Sequence, residues 1–433
     1  MQIVNSLLDA KFIGYLGRDA LSASGASVNL VFLLVSLAIA LGTATTALVS
    51  RFYGAKEPQN LITASRQSLV LSLICGFGLM LLGYLSTPFI AGLFSQNDEN
   101  VYRNIILYVN PLLLGIPALF LFNAIASALR GIGDTKKPMY ISGFQIFIHI
   151  VLNFLLIFPS RDVMFMGESF VIPGADLGIV GAGWAFSISA WIAAFIYLPV
   201  TKFTPLGAMW WIEWIRLDWV LRIFKIAIPA AVSSIIRVTS LGAFSMALAH
   251  TSEGPAALGA MRVGFAMEGL AFMPAFGYMI AASALVGQSL GMKKPQRAEK
   301  LAWAATNQAV IVMCVMSVLF LIFSYDFARF FVDDPLQMKL AAQYLFIIAL
   351  TEPFFGYAMV LTGAHQGAGD TVRPTWVALI ALWGIRVPLA WIFAVTLGFG
   401  TIAAWIAMSF TQLVQGVMMI WYFKKGKWKE KEV

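Results

Sequence analysis

Apolar residues run through this chain in long blocks, separated by short polar breaks. Blocks of 18 or more apolar residues predict membrane-spanning helices, since about 20 residues of helix cross the hydrocarbon core. The pattern predicts twelve helices. The first six lie near 1–16, 26–51, 62–92, 102–129, 138–158 and 178–200, and the second six near 219–249, 257–290, 298–323, 338–366, 374–396 and 400–423. No period-two alternation predicts strands, so helices rather than a barrel must satisfy the backbone in lipid. The expected fold class is an all-α membrane protein. Its expected parts are an N-terminal six-helix lobe (1–200), a cytoplasmic linker (201–218), a C-terminal six-helix lobe (219–423) and a basic cytoplasmic tail (424–433). The first block is too short to cross about 30 Å of hydrocarbon. It has no basic leading region and carries Asp9 in its middle, unlike a signal peptide. The expectation is that the native start lies upstream.

Two landmarks repeat in register. The run from Ala128 to Pro138, ALRGIGDTKKP, returns as GAHQGAGDTVRP from Gly363 to Pro374, with Gly369 in the place of Gly133. The run TALVSRFYGAKEPQ from Thr46 to Gln59 returns as SALVGQSLGMKKPQ from Ser283 to Gln296, with Gly291 in the place of Gly54. The two repeats share almost the same offset along the chain. This is a duplicated half-chain, and six helices per half make the two copies parallel. Such repeats build transporters with the substrate path between the halves. In the GDT loops the glycines end one helix, Asp134 and Asp370 are placed to cap the next, and Pro138 and Pro374 fall in its first turn. The glycine-rich run Gly178 to Gly183 follows no strand, so it predicts tight helix packing rather than a nucleotide loop.

Composition agrees with a membrane: 60% of residues are hydrophobic, only 12% are charged, and the mean hydropathy is +0.82. Globular domains carry about 25% charge. The net charge of +8 would fit a nucleic-acid partner, but the placement of the charges gives a better account. With the N-terminus in the cytoplasm, most Lys and Arg fall in cytoplasmic loops or the tail, while acids such as Asp333 and Asp334 fall outside. No nucleic-acid partner is expected, and both termini are expected in the cytoplasm. The tail beginning at Lys424 reads as a stop-transfer flank near anionic headgroups. Cys75 and Cys314 sit inside apolar blocks and are read as unpaired. His250 and His365 fall at helix ends and are read as interfacial residues.

No GxxxxGK[ST] run is present, so ATP hydrolysis of that type is excluded. Nor is there an HExxH, GxSxG or paired catalytic Asp signature, so no enzyme and no cofactor is expected. Ionisable residues inside helices are then the functional candidates, because each is costly unless paired or hydrated. Three acids qualify: Asp9, Glu268 and Glu352. Gln2, Asn5 and Asp9 share one helix face, and Gln145, His149 and Asn153 share another on the fifth helix. Two polar stripes on apolar helices should face each other or water. The eleventh helix has Ala381, Ile385 and Leu389 at the matching positions, and the second half instead carries Ser233, Arg237 and Ser240 on its first helix. Glu268, Glu352, Arg237, Arg262 and Arg386 are expected to pair across helices.

The motifs together resemble the multidrug and toxic compound extrusion (MATE) transporters of the multidrug/oligosaccharidyl-lipid/polysaccharide flippase superfamily over essentially the whole chain. The resemblance rests on LLDAKFIGYLGRDALSASG (Leu7 to Gly25), ALRGIGDTKKPM, LGIVGAGWAFSIS (Leu177 to Ser189), FMPAFGYMIAASALVGQSLG (Phe272 to Gly291), and QGAGDTVRP followed by WGIRVPLAWIF (Trp383 to Phe393). It implies two pseudo-symmetric six-helix lobes around a central cavity that opens alternately to each side. It also implies export of amphipathic, often cationic compounds against inward Na+ or H+. A monomer in the cell membrane is expected. Asp9 matches the family's first-helix acid of the cation-linked site, joined by Asn5, His149 and Asn153. His149 and Asn153 stand where the family has Asn and Asp/Asn, and Phe186 where some members have Thr. Where some members have a seventh-helix acid, this chain has Arg237, which argues against a cation there. Gln145, Asn29, Glu268, Arg237 and Glu352 are the candidates for lining the substrate cavity. A histidine nitrogen is a poor Na+ ligand, whereas a proton needs only a group whose access to water changes, so H+ is the expected coupling ion. The competing reading is a lipid-linked saccharide flippase of the same superfamily. Its members carry cavities rich in Arg and Lys, whereas the embedded charges here are few and of mixed sign.

Overall fold

The computed structural model describes residues 9, 11–95, 98–165, 168–211 and 213–431. The expected first helix is therefore described only at Asp9 and from Lys11 onward, and the polar stripe residues Gln2 and Asn5 lie outside the described residues. The helices that follow are α1 (Arg18–Ala55), α2 (Pro58–Phe94), α3 (Glu99–Leu113), α4 (Ile116–Gly131), α5 (Lys136–Ile157) and α6 (Ile179–Lys202). Then come α7 (Leu217–Ala249), α8 (Gly254–Gly291), α9 (Pro295–Phe331), α10 (Pro335–Ala349), α11 (Glu352–Gly367), α12 (Val372–Thr396) and α13 (Gly400–Lys424).

Among the described residues, nine of these helices are long and apolar enough to span a bilayer. Two further spans are broken. α3 and α4 meet at 43°, and α10 and α11 at 61°. The hydropathy pattern predicts straight helices over 102–129 and 338–366. The breaks come from Pro117 and Pro353, each the second residue of its following helix and equivalent positions of the two halves, because a proline cannot donate to the preceding turn. α12 contains π-helical turns at Leu379–Arg386 and Ala390–Thr396.

The chain divides into two compact units. One comprises Met1–Thr45, Pro58–Leu129 and Asp134–Leu221; the other comprises Thr46–Glu57, Arg130–Gly133 and Arg222–Val433. In the first unit, α5 and α6 pack closely because Gly181 lets them approach: a Cβ there would sit 2.6 Å from the Leu156 carbonyl oxygen. Gly183 does the same against Tyr108 on α3, at 2.5 Å. This is how small residues let helix backbones meet in a membrane. Between α5 and α6 lies an antiparallel hairpin, β1 (Pro159–Phe165) and β2 (Glu168–Ala175), where the hydropathy pattern predicts no strand. Val163, Phe165, Phe170, Val171 and Ile172 supply β-branched and aromatic residues on both sides of Met166–Gly167, and that composition favours strands.

The described part of the expected linker, residues 201–211 and 213–218, is held against α2. Arg66 on α2 donates to the Ala208 carbonyl (2.9 Å), Gln67 donates to the Trp214 carbonyl (2.9 Å), and the Arg216 amide donates to Gln67 Oε1 (2.9 Å). Arg66 also pairs with Glu213 at 3.4 Å.

The second unit holds a core of small residues around fully buried Trp405, Tyr344, Phe244 and Phe320. In it the duplicated runs pack on each other reciprocally. A Cβ on Gly54 would lie 2.0 Å from the Gln288 carbonyl oxygen, and one on Gly291 would lie 2.0 Å from that of Arg51. Gly54 corresponds to Gly291 and Arg51 to Gln288, so contact and counter-contact exchange, as across a two-fold axis. The repeat also conserves backbone shape. Lys56 (φ 58) and Lys293 (φ 57) are both left-handed, as are Gly133 (φ 92) and Gly369 (φ 80).

The basic tail is docked rather than solvated. Trp428 is fully buried, stacks on Phe423 at 4.7 Å, and donates to the Phe423 carbonyl at 2.9 Å. Lys429 pairs with Glu299 at 2.6 Å, and Arg51 donates to the Lys431 carbonyl at 2.9 Å. Cys75 and Cys314 are both unpaired.

Candidate functional site

In the first unit, the polar stripe of α5 meets Asp9. Asp9 Oδ1 accepts a hydrogen bond from Asn153 Nδ2 at 2.6 Å and lies 2.8 Å from His149 Nε2. Asn153 Nδ2 and His149 Nε2 are themselves 3.2 Å apart. His149 and Asn153 are fully buried, and the Asp9 side chain is 16% exposed. The other ring nitrogen, His149 Nδ1, is 3.3 Å from Ser189 Oγ, which accepts from Gln145 Nε2 at 3.2 Å and donates to the Phe186 carbonyl at 2.9 Å. The Phe186 ring stands edge-on to the imidazole at 6.5 Å. α5 presents Gln145, His149 and Asn153 at i, i+4 and i+8, and the close α5–α6 approach at Gly181 brings Ser189 within reach.

This arrangement can hold a proton at either side of one short contact. With Asp9 ionised, Nε2–H and the Asn153 amide both donate to Oδ1, and such charge-assisted bonds are the strong ones. With Asp9 protonated on Oδ1, its O–H donates to an unprotonated Nε2. Both arrangements keep Asp9 Oδ1, His149 Nε2 and Asn153 Nδ2 bonded, while Asn153 Oδ1 is buried without a hydrogen-bond partner.

The structure joins four of the expected residues, Asp9, His149, Asn153 and Gln145, and adds Ser189. Asn5 lies outside the described residues, and the Asn29 side chain is likewise not described. AFSIS places two serines, Ser187 and Ser189, on a mostly apolar helix, and only the α5–α6 packing shows that Ser189 is the one that reaches His149.

The embedded charges of the second unit are arranged differently from the expected ion pairs. Glu268 on α8 accepts from Tyr344 Oη at 2.5 Å and Gln412 Nε2 at 3.0 Å. Thr351 Oγ1 donates to Gln412 Oε1 at 3.1 Å. Buried Arg386 donates to Thr411 Oγ1 at 3.0 Å, while Arg237 and Arg262 are exposed. Among the described residues, none of these five charged groups lies within ion-pairing distance of another. Glu268 takes its hydrogen bonds from neutral donors, and buried Arg386 acts on it electrostatically from beyond ion-pairing distance. Glu352 is fully buried at the α10–α11 break, and neither of its carboxyl oxygens has a hydrogen-bond partner. A buried carboxyl without hydrogen-bond partners is costly to keep in place.

The two GDT loops also differ. Asp134 accepts from the Lys137 amide at 3.2 Å and pairs with its ammonium at 2.6 Å. Asp370 is 2% exposed and binds His365 Nδ1 at 3.0 Å together with Arg373. His365 is therefore not an interfacial residue; it is fully buried against Phe423 and Trp428. Burial alone would raise the Asp370 carboxyl, but the His365 hydrogen bond, with the His365 and Arg373 charges, outweighs it and holds the group below the usual carboxylate range. Burial likewise opposes, and Lys137 overcomes it, at Asp134.

Helical units of spanning length, built on a duplicated six-helix half with an ionisable cluster inside the spans, define a multi-pass membrane transporter. The MatE family model matches residues 1–155 and 229–392. The chain belongs to this family, the MATE transporters, and has their fold of twelve helices in two lobes. It is 24% identical to a probable multidrug resistance protein NorM of Thermotoga maritima over the whole chain and 90% of that protein. It is 26% identical to the probable multidrug resistance protein YoeA of Bacillus subtilis, over the whole chain and 92% of that protein. Among solved structures, MATE in complex with MaL6 superposes with a TM-score of 0.88 at 19% identity, covering this whole chain and 94% of that one. An outward-facing multidrug resistance MATE transporter of the MOP superfamily superposes with a TM-score of 0.87 at 20% identity, covering the whole chain and 93% of that one.

Proposed function

We propose that this protein is a secondary multidrug efflux transporter, exporting amphipathic organic cations in exchange for inward protons. It acts in the cell membrane with both termini in the cytoplasm, and it moves solutes rather than catalysing a reaction. The observation that carries the coupling reading is the three-atom contact of Asp9 Oδ1, His149 Nε2 and Asn153 Nδ2. A carboxylate bonded by one titratable and one neutral donor can take up a proton from one side and release it to the other as its access to water changes. A bound cation and a proton would then compete for the same charge. An imidazole nitrogen in direct contact with the carboxylate favours H+ over Na+. Asp9 is the proton carrier in this reading, His149 its exchange partner, and Asn153, Ser189 and Gln145 position the pair.

The test is ethidium export from proteoliposomes under an imposed gradient of one ion at a time. A pH gradient should drive export at zero sodium gradient. Export driven by a sodium gradient at equal pH on both sides would overturn the proton assignment.

A further inference from the structure

The end of α5 furthest from the GDT loop carries a second arrangement that the coupling contact does not use. The guanidinium of Arg161, on β1, lies over the Phe154 ring with Cζ 3.8 Å from the centroid, and over the Phe158 ring at 4.8 Å. Phe158 stands edge-on to three further rings: Phe12 at 6.1 Å, Tyr15 at 6.2 Å and Phe154 at 6.2 Å. Arg161 Nε and Nη2 are buried and have no hydrogen-bond partner, and among the described residues no acid pairs with Arg161. Arg161 is half-buried, and a guanidinium with two buried, unused donors is expensive. Among the described residues, the Phe154 and Phe158 ring faces are what meets its buried side. That is the chemistry of an aromatic box for organic cations, which carry a diffuse charge and need few hydrogen bonds.

The box also lies close to the Asp9 contact. Phe154 follows Asn153 directly, and Phe12 is one helical turn beyond Asp9. At about 1.5 Å of rise per residue, Phe158 lies roughly 7–8 Å past Asn153 along α5.

We infer that Phe12, Tyr15, Phe154 and Phe158 form a binding subsite for quaternary ammonium or amidinium-type cations, and that Arg161 is its built-in occupant when no such ligand is bound. A cation arriving from the Asp9 side displaces Arg161; when the cation leaves, the tethered guanidinium returns and opposes rebinding. The inference takes its ligand class from the cationic substrates of the proposed function, but it concerns equilibrium binding and needs no ion gradient.

The test is ethidium binding to purified protein in detergent, read by fluorescence anisotropy and by competition with benzyltrimethylammonium. Arg161→Gln keeps much of the side chain's reach and removes the competing charge, so both ligands should bind several-fold more tightly. Adding Phe158→Leu should cancel that gain. The gain should persist in an Asp9→Asn background, which separates this subsite from the coupling site. Unchanged or weaker binding by a normally folded Arg161→Gln protein would overturn the inference and leave Arg161 as an anchor for the hairpin. A second measurement needs no variant. Benzyltrimethylammonium should speed tryptic cleavage of the wild type after Arg161, and sodium chloride at equal ionic strength should not. Cleavage indifferent to the organic cation would contradict displacement even if the variant failed to fold.

Discussion

The two GDT loops share sequence and backbone shape but should differ in what their aspartates contribute. Asp370 is 2% exposed and bonded to His365, which is fully buried, and to Arg373, which is 27% exposed. Removing one member of a buried charged cluster costs about 3–5 kcal/mol. The Arg373 head can turn toward water, and an asparagine keeps one acceptor, so Asp370→Asn should cost about 2–3 kcal/mol on that scale. Asp134 is 21% exposed and its partner Lys137 is 40% exposed. That is a surface pair worth about 0–1 kcal/mol, so Asp134→Asn should cost no more than that. The assay is the apparent unfolding midpoint of each variant in one detergent at one heating rate, since membrane proteins of this size unfold irreversibly and only matched scans compare. The acid limb gives a second reading. The folded-state carboxyl of Asp370 is held below its usual range, so its contribution is complete above the unfolded value of about 3.9 and is lost as pH falls through the lower folded value. Asp370→Asn should therefore flatten the stability profile below about pH 4. Equal losses from the two substitutions, or an unchanged acid limb, would refute the reasoning.

Glycine substitutions should divide by the space around them. Gly54→Ala and Gly291→Ala each drive a methyl into a facing carbonyl at 2.0 Å, so both should lower the yield of folded protein, as judged by size-exclusion profiles; Gly143→Ala, with nothing within 4 Å, should not. Glu352→Gln should change stability by no more than about 1 kcal/mol, because no hydrogen bond to the carboxyl is lost; Glu352→Lys should abolish folding. Trp428→Ala removes a fully buried ring stacked on Phe423 and should cost about 3–5 kcal/mol, the usual range for large aromatic truncations. A midpoint unchanged in Trp428→Ala would show that the tail is not docked in solution.

Much of the helical plan is legible in the hydropathy pattern because lipid admits few alternatives: each spanning block must close its own hydrogen bonds. The repeat is legible because two separated motifs keep nearly one offset. The breaks at Pro117 and Pro353 were within reach of the same comparison, since these prolines too occupy equivalent positions of the two halves, but a smooth apolar run hides a bend. The stripes of Asp9 and of Gln145, His149 and Asn153 stand out because polar residues at helical spacing have few reasons to exist in apolar helices. The partners of Glu268 do not stand out. Tyr344 and Gln412 come from distant segments, as does Thr351, which bonds Gln412, and single neutral polar residues carry no period. The expected ion pairs failed for that reason: the pattern marks charges readily and neutral donors poorly. His365 reads as interfacial by its place at a helix end, and only the docked tail shows that it is buried.

The most direct test of the central claim counts protons on the Asp9 contact. Purified protein in a weakly buffered solution with a pH indicator is mixed with saturating ethidium, with no gradient present. If cation and proton compete for Asp9, the wild type releases protons on binding. Asp9→Asn should then release none while remaining folded, and His149→Gln should shift the pH at which release is half-maximal. Proton release undiminished in Asp9→Asn would contradict the account, whatever that variant does in transport.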